Sequence, residues 1–402
     1  MAEKYKFILA VLLWPAVVLA AELKPTILIE DNTVYQNSRV GVRIRGTSPV
    51  IIKNCRLSQN GRAGINIEKQ ADVRIINNHI FNNENAGINI DNADFCLIKE
   101  DRVYQNRQGG IRVRKSGETG DHPTILQIIN SKIYLNNSGG IQSIPLADTL
   151  IELTVTDNEV FRNNRAGIRV ENNTRLTAAH NRIYANGTAG VATYAFGESA
   201  PFLNLYENRI YANRGSGIHI HSGITGSYGI SNNWIYNNLR AGIACGLWET
   251  LHEDLIDLAI IHNTIVSNGS NETGAGIRND SKGNVVIKNN IIAYNFTTGI
   301  MTRNCRDASY NLLFANGETS DYSAKDSDAF LVEKAQFSGC SGRRRGDLLS
   351  KPLFVDPDRY DFSLQSDSPA RGAGKVIDTP YFRSFSNDIG VATPLETKRS
   401  DD

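Results

Sequence analysis

Sulfur is scarce in this chain: five cysteines and two methionines among 402 residues, with no Cys-x-x-Cys pair. That spacing is what a zinc ribbon or a dithiol redox motif requires, so neither has a basis here. An odd number of irregularly spaced cysteines permits disulfides but dictates no framework. Net charge is also lacking. The 43 basic and 42 acidic residues nearly cancel, and no charge block stands out as a nucleic-acid footprint, so no nucleic-acid partner is expected. Long apolar runs are missing as well. The single candidate, residues 7–20 ("FILAVLLWPAVVLA"), has 14 residues, short for a membrane-spanning helix, so no membrane span is expected.

That run has a different explanation. It follows Lys4 and Lys6 and ends in Val18-x-Ala20, a small-residue cleavage pattern. Residues 1–20 therefore read as a secretory signal peptide, which places the protein outside the cytoplasm, secreted or periplasmic. No cysteine follows the run, which argues against a lipid anchor there. Losing Lys4, Lys6 and Glu3 with the leader leaves 41 basic and 41 acidic residues.

The rest of the chain repeats itself. "NRIYANGTAGV" from 181, "NRIYANRGSGI" from 208 and "NWIYNNLRAGI" from 233 are versions of one unit. Aligned on the glycine of Gly-Ile/Val, the series runs from Gly41, Gly64, Gly87 and Gly110 through Gly140, Gly167, Gly190 and Gly217 to Gly242, Gly276 and Gly299. The base period is 23 residues, lengthened by insertions. An asparagine stands four residues before nearly every glycine, as in Asn83, Asn163 and Asn213; the Gly276 unit, where Asn268 lies further off, departs from this. A second column stands five residues earlier, with Asn78, Asp101, Asn158 and Asn208 in it and Cys55 and Ser131 as exceptions.

Apolar residues alternate after each glycine, as in Gly-Ile-Asn-Ile at 64–67, which is the period of a strand with one face inward. Two further short strands, one before each asparagine, complete a coil of three strands and three turns. Coils stacked at about 4.8 Å place identical side chains above one another, so the asparagines should form amide ladders. The glycine is expected to supply the backbone freedom of the turn. Cys245 falls in the inward row.

From about residue 25 to 317 this pattern resembles the right-handed parallel β-helix of the pectate-lyase-like superfamily. The expectation is an all-β solenoid of about 11–12 coils over residues 21–317. Residues 318–402 then form a C-terminal capping region and tail, in which "KPLFVDPDRYDFSLQSDSPARGAG" resembles a tail of secreted bacterial β-helix proteins. Cys305, on the last coil, and Cys340, in the tail, are candidates for a disulfide tying the cap down.

Candidate functional residues lie where the repeat is least regular. Insertions after the Gly-Ile strand concentrate between Gly110 and Gly276 and should wall a groove over that strand's outward face. Two outward clusters stand out. Asn66, Glu68, Asn89 and Asp91, beside Arg112 and Arg114, supply oxygen ligands on adjacent coils, and Glu68 and Asp91 are the candidate calcium ligands. The resemblance implies such an ion, since the family's polysaccharide lyases neutralise a uronate carboxylate with calcium and a neighbouring cation.

Arg169, Glu171, Tyr194, His219 and His221 form the second cluster. Arginine suits a carboxylate, and His and Tyr suit movement of the α-proton of a uronic acid. The resemblance points to β-elimination or epimerisation, with Arg169, Tyr194, His219 and His221 as catalytic candidates. Arg112, Arg114, Glu171 and Trp248 are candidates for substrate binding. Several family signatures are missing: the epimerases' Asp-Pro-His (Asp121-His122-Pro123 has another order), the pectate lyases' Arg-x-Pro-x-x-Arg, and the aspartate set of the pectin hydrolases. The aromatic column that includes Phe81, Tyr104, Tyr134 and Tyr211 runs through coils with and without insertions, so it reads as a structural stack.

The leading expectation is an exported, monomeric protein that binds an acidic polysaccharide, with cleavage or epimerisation left open. A non-catalytic surface or periplasmic scaffold or adhesin stands as the alternative. A periplasmic metal-maturation accessory ranks third, because two methionines and scattered cysteines offer no soft metal site.

Overall fold

The computed structural model describes residues 27–391 apart from 47, 70–71, 117–121, 147–148, 196–198, 200, 222–224, 247–254, 271–273, 282, 303–304, 318–336, 339–344, 380–381 and 384–386. Three parallel sheets of 12 strands each wind into one solenoid. The first sheet runs from Ile27–Glu30 to Asp307–Ser309, the second from Thr33–Tyr35 to Leu312–Phe314, and the third from Val42–Arg45 to Phe337–Ser338. Each strand pairs with its counterpart one coil away, in the register the repeat dictates; Ile65, Asn66 and Ile67 lie against Ile88, Asn89 and Ile90. Inward isoleucines, valines and leucines fill the interior as one continuous core, with Cys55, Cys96 and Cys245 among them. Among the described residues no helix is long and apolar enough to cross a membrane.

Both asparagine columns are hydrogen-bonded ladders. In one, the Asn136 amide donates to Asn163 Oδ1 at 2.9 Å, and the Asn163 amide donates to Asn186 Oδ1 at 3.1 Å. The same amide also donates to a backbone carbonyl, as Asn163 Nδ2 does to Ile133 O at 3.1 Å, so the buried polar turn is internally satisfied. Asn268 keeps its rung, bonded to Asn238 and Asn295, because the insertion in that coil falls after it. In the second column Cys55 contributes its backbone N–H to Asn78 Oδ1, and Ser131 accepts from the Asp101 N–H.

The glycine column works differently from expectation. Gly217 does not have positive φ. A Cβ there would lie 2.6 Å from Ile235 Cγ2, 2.7 Å from the Gly242 carbonyl and 2.9 Å from Asn238 Nδ2. Glycine is needed because the next coil packs onto its backbone. The left-handed turn positions instead carry ordinary residues just before each ladder rung, such as Asn77, His180 and Ala212, with φ between 52° and 57°. Each costs about 1–2 kcal/mol, which the hydrogen bonds of the following rung offset.

The aromatic column is a stack, from Phe81 through Tyr104 and Tyr134 to Tyr236, with centroids 4.8–4.9 Å apart and planes within 6°. The C-terminal region divides in two. Phe337–Ser338 extends the third sheet and Asp347 accepts the Asn311 N–H. The segment from Phe354 onward lies instead along the side of the second sheet. There Phe362 meets Trp234 and Tyr236, and Tyr360 stacks on Tyr236. Asn289 pins this segment by accepting from Lys375 N and donating to Lys375 O. Cys305 is buried and disulfide-bonded; Cys340, the partner expected from the sequence, lies outside the described residues.

Candidate functional site

Strand alternation sends every second residue of the third sheet outward, and parallel pairing sets these residues in two rows along the rod. One row runs Arg43, Asn66, Asn89, Arg112, Gln142 and Arg169, then Ala192 and His219. In the other, Arg45, Glu68, Asp91 and Arg114 stack in order, and Glu171 lies against Tyr194. Two hollows of about 360 and 400 Å³ lie along these rows and share Arg112. Arg39, Arg43, Arg62, Arg112 and Arg114 line the first, against Glu68 and Asp91. Arg107, Arg165 and Arg169 join Arg112 in the second, against Glu171.

Among the described residues eight arginines and three carboxylates line these two hollows, on a chain whose basic and acidic residues nearly cancel as a whole. Arg39, Arg62 and Arg165 come from the turn two residues before the repeat glycine, a column the sequence reading passed over. The signal was present as arginine recurring at that offset, and the folded chain sets these side chains against the two hollows.

The expected calcium site does not fit this geometry. Glu68 accepts from Arg43 at 2.7 Å and from Asn66 Nδ2 at 2.7 Å. Asp91 accepts from Arg114 Nε at 2.9 Å and from Asn89 Nδ2 at 2.5 Å. The Asn66 amide oxygen accepts from Asn89, and that of Asn89 from Arg112 Nε. Each of the six side-chain oxygens of the four residues therefore already accepts an N–H from within the cluster or from an arginine, whereas Ca²⁺ needs six to eight oxygens turned toward one centre. Among the described residues no three His, Cys, Asp or Glu side chains converge as metal ligands.

Arg112 stands apart from its neighbours. It is half-buried, and its only side-chain partners shown are the neutral oxygens of Asn89 and Gln108. No carboxylate lies within ion-pair reach among the described residues. Desolvation, and then the charge of Arg114, lower its pKa.

The second cluster does converge. Arg169 pairs with the buried carboxylate of Glu171 at 2.5 Å, and its guanidinium lies 4.3 Å over the Tyr194 ring. Tyr194 stacks on His221 with centroids 4.0 Å apart, and His221 on His219 at 3.9 Å. The small Ala192 sits in the row between Arg169 and His219. Burial raises the Glu171 pKa above the ordinary carboxylate range, against the opposing pull of Arg169. Burial pushes His219 down to about 4, helped by Arg240, and His221 down to about 3, helped by His219 and Arg169. Both imidazoles are therefore neutral at physiological pH.

Trp248 lies outside the described residues, as does much of the loop wall expected over the groove. Cys55 and Cys96 are buried in the core, remote in role from any site at the surface.

A family model described as "Right handed beta helix region" matches residues 19–145 and 147–256. No curated protein matches the sequence. Among solved structures, the chain is similar to pectate lyase Pel9A, at 12% identity and a TM-score of 0.50, over 92% of this chain and 88% of that one. It is also similar to the periplasmic alginate epimerase AlgG, at 14% identity and a TM-score of 0.37, over 71% and 79% of the two chains. A mannuronic acid specific polysaccharide family 6 lyase from human gut microbiota aligns at 10% identity with a TM-score of 0.33, over 83% and 86%. At 12% identity Pel9A shares the fold, and no site residue is transferred from it.

Proposed function

The chain belongs to the right-handed β-helix family, and on that footing we propose that it is an exported protein that binds an acidic polysaccharide along the outer face of its third sheet. The observation that carries this reading is the concentration of eight arginines against three carboxylates along two joined hollows. A linear anionic chain lying parallel to the rod would meet guanidinium groups on the coils of Gly41, Gly64, Gly110 and Gly167, and planar guanidinium suits carboxylate better than ammonium does. Export rests on the leader at residues 1–20.

Binding is better supported than turnover. The Arg169–Tyr194–His221–His219 stack lies at one end of the arginine track, where a uronate α-proton would have to be removed in β-elimination or epimerisation. Imidazoles with pKa values near 3 and 4 are available as proton acceptors but are weak bases for that step.

Titration of the protein with polygalacturonate, alginate and neutral dextran over a range of NaCl concentrations tests the reading. Both uronate polymers should bind, more weakly as salt rises, and dextran should not. Equal affinity for dextran, or no affinity for any anionic polymer, would count against it. Absorbance of the unsaturated sugar product, followed in the same mixtures, separates a lyase from a binding protein.

A further inference from the structure

We infer that the groove holds the anionic groups of its polymer through guanidinium groups alone, centred on Arg112, and without calcium. This rests on the acidic-polysaccharide reading above and specifies how the same site recognises its ligand. The fold family implies calcium, and the residues here are arranged against it. Every oxygen that could serve as a ligand in the Asn66–Glu68–Asn89–Asp91 cluster already accepts an N–H. A dication entering there would compete with those donors for the same oxygens while facing the five arginines of the first hollow.

The arginines divide into two groups with different roles. Arg43, Arg107, Arg114 and Arg169 are held by Glu68, Glu84, Asp91 and Glu171, so their charges are already matched within the protein. Arg39, Arg62, Arg112 and Arg165 have no ion-pair partner among the described residues and line the same two hollows. Arg112 belongs to both. Its half-buried cation has no ion-pair contact among the described residues, Asp91 acting on it only from beyond that reach, and desolvation strengthens its attraction for an entering anion over that of an exposed arginine. A carboxylate at Arg112 would leave Arg39 and Arg62 to meet its neighbours on one side and Arg165 on the other. Glu68, Asp91 and Glu171 compete with the ligand for the arginines they pair with, and they are not metal ligands.

Binding of polygalacturonate and alginate is measured with excess EDTA and with added millimolar Ca²⁺, for the wild type and for Arg112→Gln, Arg62→Gln and Asp91→Asn. The wild type should bind equally in EDTA and in Ca²⁺. Arg112→Gln should weaken binding by about tenfold or more, and the exposed Arg62→Gln by several-fold, roughly what loss of a charged hydrogen bond produces. Asp91→Asn should tighten binding, because it releases Arg114 to the ligand; a calcium site would instead lose affinity. Loss of binding in EDTA, weaker binding by Asp91→Asn, or wild-type affinity in both arginine variants would overturn the inference. Should Arg112→Gln not fold, the EDTA comparison and Arg62→Gln still decide. No binding by the wild type under any condition removes the polysaccharide reading and this inference together, whereas binding that only EDTA abolishes removes the inference alone.

Discussion

Replacing Asp101 with asparagine changes one rung of a ladder built otherwise mainly from amides. Asp101 is 1% exposed. One carboxylate oxygen accepts from the Asn78 N–H at 2.6 Å and from the Asn78 amide at 2.9 Å, and the other accepts from the Lys99 N–H at 3.1 Å. These three bonds favour the anion, but burial outweighs them and raises the pKa from 3.8 to about 7. A carboxyl raised in the folded state holds its proton more tightly there than in the unfolded chain. Its contribution to stability is therefore fully present below pH 3.8 and is lost as pH rises through about 7. At about 1.4 kcal/mol per pKa unit, the loss amounts to about 2 kcal/mol at pH 5 and about 4 kcal/mol at pH 8.

Asparagine removes the ionisation altogether. By the pattern of the neighbouring rungs, its amide would donate to the carbonyl of Ile75, as the Asn78 amide does to that of Ile52 at 3.0 Å. Asp101→Asn should therefore stabilise the protein at pH 8 by up to about 4 kcal/mol and at pH 5 by much less. Urea unfolding followed by circular dichroism at the two pH values measures the difference, and other titrating groups cancel between variant and wild type. A stability difference that does not change with pH, or a variant less stable than the wild type at pH 8, would refute the account of Asp101 as a buried carboxyl lacking a counter-charge.

Three further expectations follow from the same geometry. Gly217→Ala places a methyl against Ile235, the Gly242 carbonyl and Asn238; it should cost about 1–3 kcal/mol, read as a lower melting temperature. Asn163→Ala removes the amide that bridges Asn136, Asn186 and the Ile133 carbonyl and leaves buried groups unpaired, so a loss of about 3 kcal/mol or more is expected in the same measurement. His219 and His221 titrate below their ordinary value, so the stability tied to them is full above pH 6.5 and falls as pH drops toward 4 and 3. His221→Gln should consequently lose less melting temperature than the wild type between pH 7 and pH 4.5.

Much of the architecture was legible because the repeat is rigidly periodic. When every coil stacks on the next at one spacing, a residue's place in the 23-residue unit sets its sheet, its face and its neighbours. The outward placement of Asn66, Asn89 and Arg112 on adjacent coils is therefore legible in the sequence, and so are the two asparagine ladders. The roles of some columns were less legible. Glycine suggested a left-handed turn, but the left-handed positions are held by Asn77, His180 and Ala212. The need for glycine comes from the backbone of the coil above, a contact that composition does not reveal. The tail's break from the repeat is visible in the sequence, but nothing in its composition says that Phe362 would lie beside Trp234 on the flank of the second sheet.

The site shows the same division. Periodicity alone placed Glu68, Asp91, Arg112, Arg114, Arg169, Tyr194 and the two histidines on one face, because strand alternation and stacking are local rules. Which of those charges pair with one another was decided by side-chain reach across coils. Glu68 turns to Arg43 and Asp91 to Arg114, which closes the candidate calcium site, while Arg112 is left half-buried among neutral amide oxygens. Pairing and burial depend on distances of a few ångströms between residues about two dozen positions apart. Residue types arranged in a column do not contain those distances, and the folded coils do.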